Sequence, residues 1–109
     1  MHSWLVYIIK ASDGSLYTGI TTDIERRWRE HCDGKGAKYF RGRSPSDLAY
    51  MEACRDRSGA SRREAAIKQL TRKQKQLLIQ SSANALARFV SKGSGKEEKK
   101  EKKEEGVID

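Results

Sequence analysis

Apolar positions recur with two different periods along the first 91 residues, and the changes of period divide the chain into short elements. Trp4 to Ala11 (WLVYIIKA) is rich in β-branched and aromatic residues, the composition of a strand. Ser12-Asp13-Gly14-Ser15 follows, with the Asp-Gly pair that favours a tight hairpin, and Leu16 to Thr21 (LYTGIT) reads as the returning strand. Gly19 inside that strand marks a close backbone approach or a bulge. Thr22 and Glu25 then stand at capping-box spacing and open a helix expected to run to about Cys32. Ile24 and Trp28 make its apolar face, and Arg27 and His31, also four apart, a neighbouring polar stripe. Asp33 to Pro45 is a basic, Gly-rich loop, and Asp47 to Cys54 (DLAYMEAC) alternates loosely as a third strand. Asp56 to Gly59 forms a turn into a helix over roughly Ala60 to Leu70, pointed at the core by Ile67 and Leu70. Thr71 caps a further helix from Arg72 to about Gln80, and Ala83 to Val90 adds a short last one. The order predicts an α+β domain over residues 1–91: a small three-stranded antiparallel sheet flanked by helices. From Lys92 the chain is mostly Gly, Ser, Lys and Glu, which cannot bury enough apolar surface to offset ordering, so residues 92–109 are expected to form a disordered tail.

Charge adds a partner to this picture. The 109-residue chain carries a formal charge of +8. Residues 92–109 hold six Lys and six acidic residues, so the whole excess lies in residues 1–91. That placement favours a polyanion through steering and counterion release; the plainer alternative is a solubilising basic surface. Cys32 and Cys54 lack the spacing of a zinc ribbon or a redox pair and read as structural thiols. The apolar run at the start is too short for a signal peptide or a membrane span, so a cytoplasmic location is expected. A core of this size leaves chemistry to a surface or a shallow cleft.

The hairpin brings Tyr7 and Tyr17 onto paired strands, Gly19 follows Tyr17 by two, and the helix bearing Arg27 and His31 comes next. This arrangement resembles the GIY-YIG nuclease superfamily. Its first motif stands here as Leu5-Val6-Tyr7 and its second as Tyr17-Thr18-Gly19, running on into the arginine-bearing helix through Trp28. Gly34-Lys35-Gly36-Ala37-Lys38, with Arg62-Arg63-Glu64 and Lys68, is similar to the small stand-alone bacterial YhbQ-like (UPF0213) branch. The resemblance covers about residues 3–80. The first motif lacks its Gly and Ile and the second has Thr for Ile, at backbone or packing positions. No appended DNA-binding module is visible, which leaves target choice open.

Phosphodiester hydrolysis needs a water nucleophile, a proton acceptor and positive charge on the phosphoryl oxygens. Arg27 suits the last task, being permanently charged with a planar fork; on its own it would be an ordinary solvated helix arginine. Tyr7 is the candidate base or water-positioning group, although a free phenol is only about 0.1% ionised at pH 7. Tyr17 is the other candidate, and which of the two acts as base stays open; both could equally be strand tyrosines packing on the core. His31 could accept or relay a proton, or be structural. Glu64 could cap a helix from Ser61, but with Ser58 as the cap it lies inside the helix beside Ala60, Ile67 and Lys68, where a carboxylate needs a partner. The resemblance places the family's metal-binding glutamate at Glu64. With one good carboxylate, a single Mg²⁺ or Mn²⁺ ion completed by water and substrate phosphate is expected. Lys38, Arg41, Arg43 and Lys68 are candidates for gripping the nucleic-acid backbone, or plain surface charge. The expected function is metal-dependent endonucleolytic hydrolysis of DNA, branched or single-stranded, in repair or processing. A non-catalytic nucleic-acid-binding module that keeps the fold is the alternative, and an adaptor for a larger repair protein a third.

Overall fold

The Asp-Gly turn closes a hairpin, with Gly14 at φ 85°, a left-handed conformation that glycine adopts without steric cost. Its strands are β1 (Trp4–Ala11) and β2 (Leu16–Thr21). The computed structural model describes residues 3–86. After the hairpin come α1 (Ile24–Cys32), a single 3₁₀ turn (Lys38–Phe40), β3 (Pro45–Cys54), α2 (Arg57–Lys68) and α3 (Arg72–Ile79). The sheet is antiparallel throughout, in the order β2-β1-β3, with Tyr7 opposite Gly19 on one side and Met51 on the other.

β1 is the central strand and is covered on both faces, which is why its sequence is a continuous apolar run rather than a clean alternation. On one face Tyr7, Ile9 and Ala11 pack with Ile24 of α1, Phe40 of the 3₁₀ turn and Met51. On the other, Val6 and Ile8 pack with Tyr50, Ala60 and Ile67, with Leu78 and Ile79 of α3 added at the margin. The chain therefore has two thin cores separated by a single sheet.

Several local expectations are corrected. Asp23, not Thr22, caps α1, its side chain accepting from the Arg26 amide; the Thr21 hydroxyl takes the Asp23 amide, which moves the helix start one residue on. His31 does not lie on a polar stripe. It sits seven residues after Ile24, on the same helix face, and both are buried. α2 begins three residues earlier than expected because Asp56 caps it, accepting from the Gly59 amide, so Ser58 and Ser61 are both interior and neither is the cap. β3 starts at Pro45, two residues before the expected Asp47. Thr71 caps α3 with a full capping box to Gln74.

The last described residues close the outer edge of β3. The Ala85 amide donates to the Met51 carbonyl (2.8 Å), and the Asn84 side chain bonds the Met51 amide and the carbonyls of Ala49 and Ile79. Residues 83–85 are not helical and helix is reached only at Leu86; residues 87–90 of the expected Ala83–Val90 helix, and the 92–109 tail, lie outside the described residues. No helix among the described residues is long and apolar enough to cross a membrane.

Candidate active site

Tyr7 points from the central strand beneath β2, and the phenol is wholly inaccessible. Gly19 makes the room: a Cβ there would stand 2.5 Å from Tyr7 Oη. A side chain at that position would displace the phenol or part the strands.

The Tyr7 oxygen lies 2.9 Å from His31 Nε2, a buried contact that joins β1 to α1. The other imidazole nitrogen, Nδ1, faces the Ala37 amide at 3.5 Å, a long bond but one with a direction. If Nδ1 accepts there, the imidazole proton resides on Nε2 and is donated to the Tyr7 oxygen. The backbone of the Gly-rich loop can approach because Gly36 has no side chain; a Cβ on it would overlap the His31 ring. Burial, reinforced by the positive charge of Arg27 and opposed by Glu30, pushes His31 down to about 4, so the ring is neutral at pH 7.

Arg27 lies one helical turn before His31, and its guanidinium is held by Glu30 (Nη1–Oε1 3.0 Å) with 30% of the side chain still exposed. It stands beside Tyr7 and favours the phenolate, but burial dominates and pushes Tyr7 up to about 12, with Tyr17 and Glu64 adding to the rise. Tyr17 is half-buried and packs edge-on against His31 at 5.5 Å between centroids, and it lies 5.1 Å from Tyr39. Phe40 closes the other side of the imidazole at 4.8 Å. Tyr7, Tyr17, Arg27 and His31 are thus one constellation, walled by the aromatic pair of the 3₁₀ turn.

Glu64 comes from α2, which packs on the other face of the sheet through Ala60 and Ile67. Its side chain is 23% exposed and pairs with Lys68 (3.2 Å), and its negative charge is felt at Tyr7. No hydrogen bond joins Glu64 to either tyrosine among the described residues. No group of three or more His, Cys, Asp or Glu side chains that could hold a metal exists among the described residues. The donor set is therefore one half-buried hard oxygen ligand, which fits a Mg²⁺-like ion that keeps most of its waters and takes a substrate phosphate.

The expected phosphate-gripping residues divide into two groups. Lys38 and Arg41 are exposed and make no ion pair among the described residues. Arg43 is engaged: it pairs with Asp13 of the hairpin turn (2.9 Å), donates to the Tyr39 carbonyl (3.1 Å) and lies over the Tyr39 ring at 4.3 Å. Lys68 is held by Glu64. Sequence reasoning overlooked Glu30, Gly36, Tyr39 and Phe40 as parts of the site. A signal for two of them was present, since two adjacent aromatics in an otherwise polar loop must find an apolar surface.

The GIY-YIG catalytic domain matches residues 3–77. A UPF0213 protein of Desulfotalea psychrophila is 56% identical over 81 residues, covering 73% of this chain and 74% of that one. The UPF0213 protein YhbQ of Escherichia coli O139:H28 is 49% identical over 83 residues, covering 76% and 83%. Among solved structures, the solution structure of a protein from E. faecalis superposes with a TM-score of 0.50 at 33% identity, over 94% of this chain and all of that one. The matched domain is that of nuclease-type hydrolases, which act on DNA and generally use a divalent ion. Its match over the hairpin, the arginine helix and α2, together with these relatives, places this chain in the GIY-YIG nuclease family, within its stand-alone YhbQ-like branch.

Proposed function

We propose that this protein is a cytoplasmic endonuclease that hydrolyses DNA phosphodiesters with one Mg²⁺ or Mn²⁺ ion, in DNA repair or processing. The observation that carries the reading is the buried Tyr7–His31 bond at 2.9 Å with a partly exposed arginine beside it. A lone packing tyrosine would not need a histidine, an arginine and a glycine arranged around its oxygen.

Arg27 takes the non-bridging oxygens of the scissile phosphate and stabilises the charge that develops on them, exchanging Glu30 for substrate. Tyr7 holds the attacking water. At about 12 its phenol is ionised in roughly one molecule in 100,000 at pH 7, so it is not a base in the free protein. His31, neutral and donating from Nε2, together with Arg27 would stabilise the Tyr7 phenolate once its proton has passed to solvent, and the phenolate would then accept the proton of the attacking water. Tyr17 completes the wall and is the second candidate for the proton acceptor. Glu64 is the residue to hold the ion, in exchange for Lys68. When bound, the ion supplies Lewis-acid charge to the phosphodiester. Lys38, Arg41, Arg43 and Lys68 serve the flanking phosphates.

The test is cleavage of branched, flapped and single-stranded DNA with Mg²⁺, Mn²⁺ or EDTA. Metal-dependent cutting is expected, with Arg27→Ala and Glu64→Gln each losing about a hundred- to thousandfold in rate. Cutting that persists in EDTA, or in Arg27→Ala, overturns the assignment. One observation favours a non-catalytic nucleic-acid-binding module instead: the wholly buried Tyr7 with its phenol pushed up to about 12. Binding without cutting under every metal would establish that reading.

A further inference from the structure

Beyond the tyrosine–arginine constellation, the surface around the hairpin tip carries a second feature. Two shallow grooves meet there, one of about 320 Å³ between the hairpin and α3, the other of about 170 Å³ running towards Tyr39. They share Leu16 and Arg72 and so form one continuous path. Its cations are Lys10, Arg72 and Lys75, none of which makes an ion pair among the described residues, and no carboxylate lines either groove. Asp47 stands opposite Lys10 in the sheet register without pairing with it. The Arg72 guanidinium leans over the turn, 3.9 Å from where a Cβ on Gly14 would stand. At its other end the path reaches the Tyr39 ring, which touches Tyr17 and through it the His31–Tyr7 pair.

We propose that this path, from Tyr39 over Arg72 and Lys75 to Lys10, holds a single-stranded arm of the DNA substrate as it leaves the site at Tyr7 and Arg27. The inference rests on the nuclease reading and adds its substrate class. The grooves combine unpaired cations, which hold phosphates, with a floor of Leu16, Ile79 and the Tyr39 ring. Leu16, Ile79 and Tyr39 also pack on the cores, and what they leave open suits exposed base faces, which a duplex keeps stacked inside. Gln76 and Gln80 on the same wall offer hydrogen bonds without charge. A duplex backbone would gain from the cations alone; an unstacked strand uses both.

The experiment is fluorescence anisotropy in EDTA, so that nothing is cut, with a labelled duplex carrying an oligo-dT arm and the same duplex blunt-ended. The native protein is expected to prefer the armed duplex. Arg72→Gln with Lys75→Gln should remove about tenfold of that preference and lower the salt slope for the armed duplex by about 1.4, the value for two single-strand phosphates. Tyr39→Ala should cost about five- to hundredfold for the armed duplex, and Tyr39→Phe should restore it. Arg62→Gln with Lys73→Gln removes the same charge from exposed positions outside the grooves and should keep the preference. Equal loss for armed and blunt DNA, loss of the preference in the Arg62/Lys73 pair, or no preference in the native protein overturns the proposal. Cleavage of the same duplexes in Mg²⁺ is scored separately. Cutting without an arm preference refutes the track and leaves the nuclease standing; an arm preference without cutting does the reverse.

Discussion

At the scale of single residues, the decisive feature is that His31 is buried and neutral. Its pKa in the folded chain, about 4, lies below the ordinary value of 6.5, so the unfolded chain binds the proton more readily. The stability this contributes is fully present above pH 6.5 and is lost as pH falls towards 4. The total is roughly 3 kcal/mol, of which about 2 kcal/mol should be gone by pH 5. Urea denaturation at pH 7 and pH 5 measures it, and His31→Gln should flatten the difference. Gly36 is the complementary position. Because a Cβ would overlap the imidazole, Gly36→Ala should cost about 1–3 kcal/mol of stability and displace the ring from Tyr7. Loss of the pH 7 to pH 5 stability difference in that variant would show that the histidine had become exposed. Sequence alone placed His31 on a helix stripe with Arg27 and Gly36 in the basic loop that follows; that one exists to admit the other is a tertiary fact, invisible before the loop is folded back onto the helix.

At the scale of elements, legibility followed local chemistry. Both hairpin strands were readable to the residue, because an Asp-Gly turn between β-branched runs leaves few alternatives. Helix starts were less so: Thr22 and Asp23 are both good caps, and the choice falls to Asp23 because the Thr21 hydroxyl captures its amide. α2 was shortened in the reading for a similar reason, with two serines competing with Asp56. The correction bears on the site, since a helix running from Arg57 places Glu64 well inside it and removes the capping role its spacing from Ser61 implied. The edge closure by residues 84–86 had no periodic signal at all, resting on one side-chain amide. Asn84→Ala removes bonds to Met51, Ala49 and Ile79 and should destabilise the protein by about 1–3 kcal/mol, measurable as a shift in urea midpoint. An unchanged midpoint would mean that the edge is held by the Ala85 backbone bond alone.

At the scale of the whole molecule, the sheet is a partition. Tyr7 packs with Ile24 and Phe40 on one side, and α2 covers the other through Ala60 and Ile67. The second side has its own polar knot, in which Glu52 takes the Tyr50 hydroxyl and receives Arg63 Nε at 3.0 Å; it fastens α2 to β3 rather than serving the site. The excess charge spreads over both sides, and DNA binding should be strongly salt-dependent. A face that neutralises about six phosphates loses roughly a thousandfold in affinity between 50 and 200 mM salt. Anisotropy titrations would read that slope, and a flat one would remove charge as the driving force. The burial of Tyr7 carries a consequence for chemical labelling. A nitrating reagent needs access to the ring, so it should mark the half-buried Tyr17 and Tyr39 while Tyr7 and Tyr50 stay unmodified until the chain unfolds. Were Tyr7 to become reactive when metal and DNA are added together, the same reagent would report how far β2 must lift before the phenol meets its water.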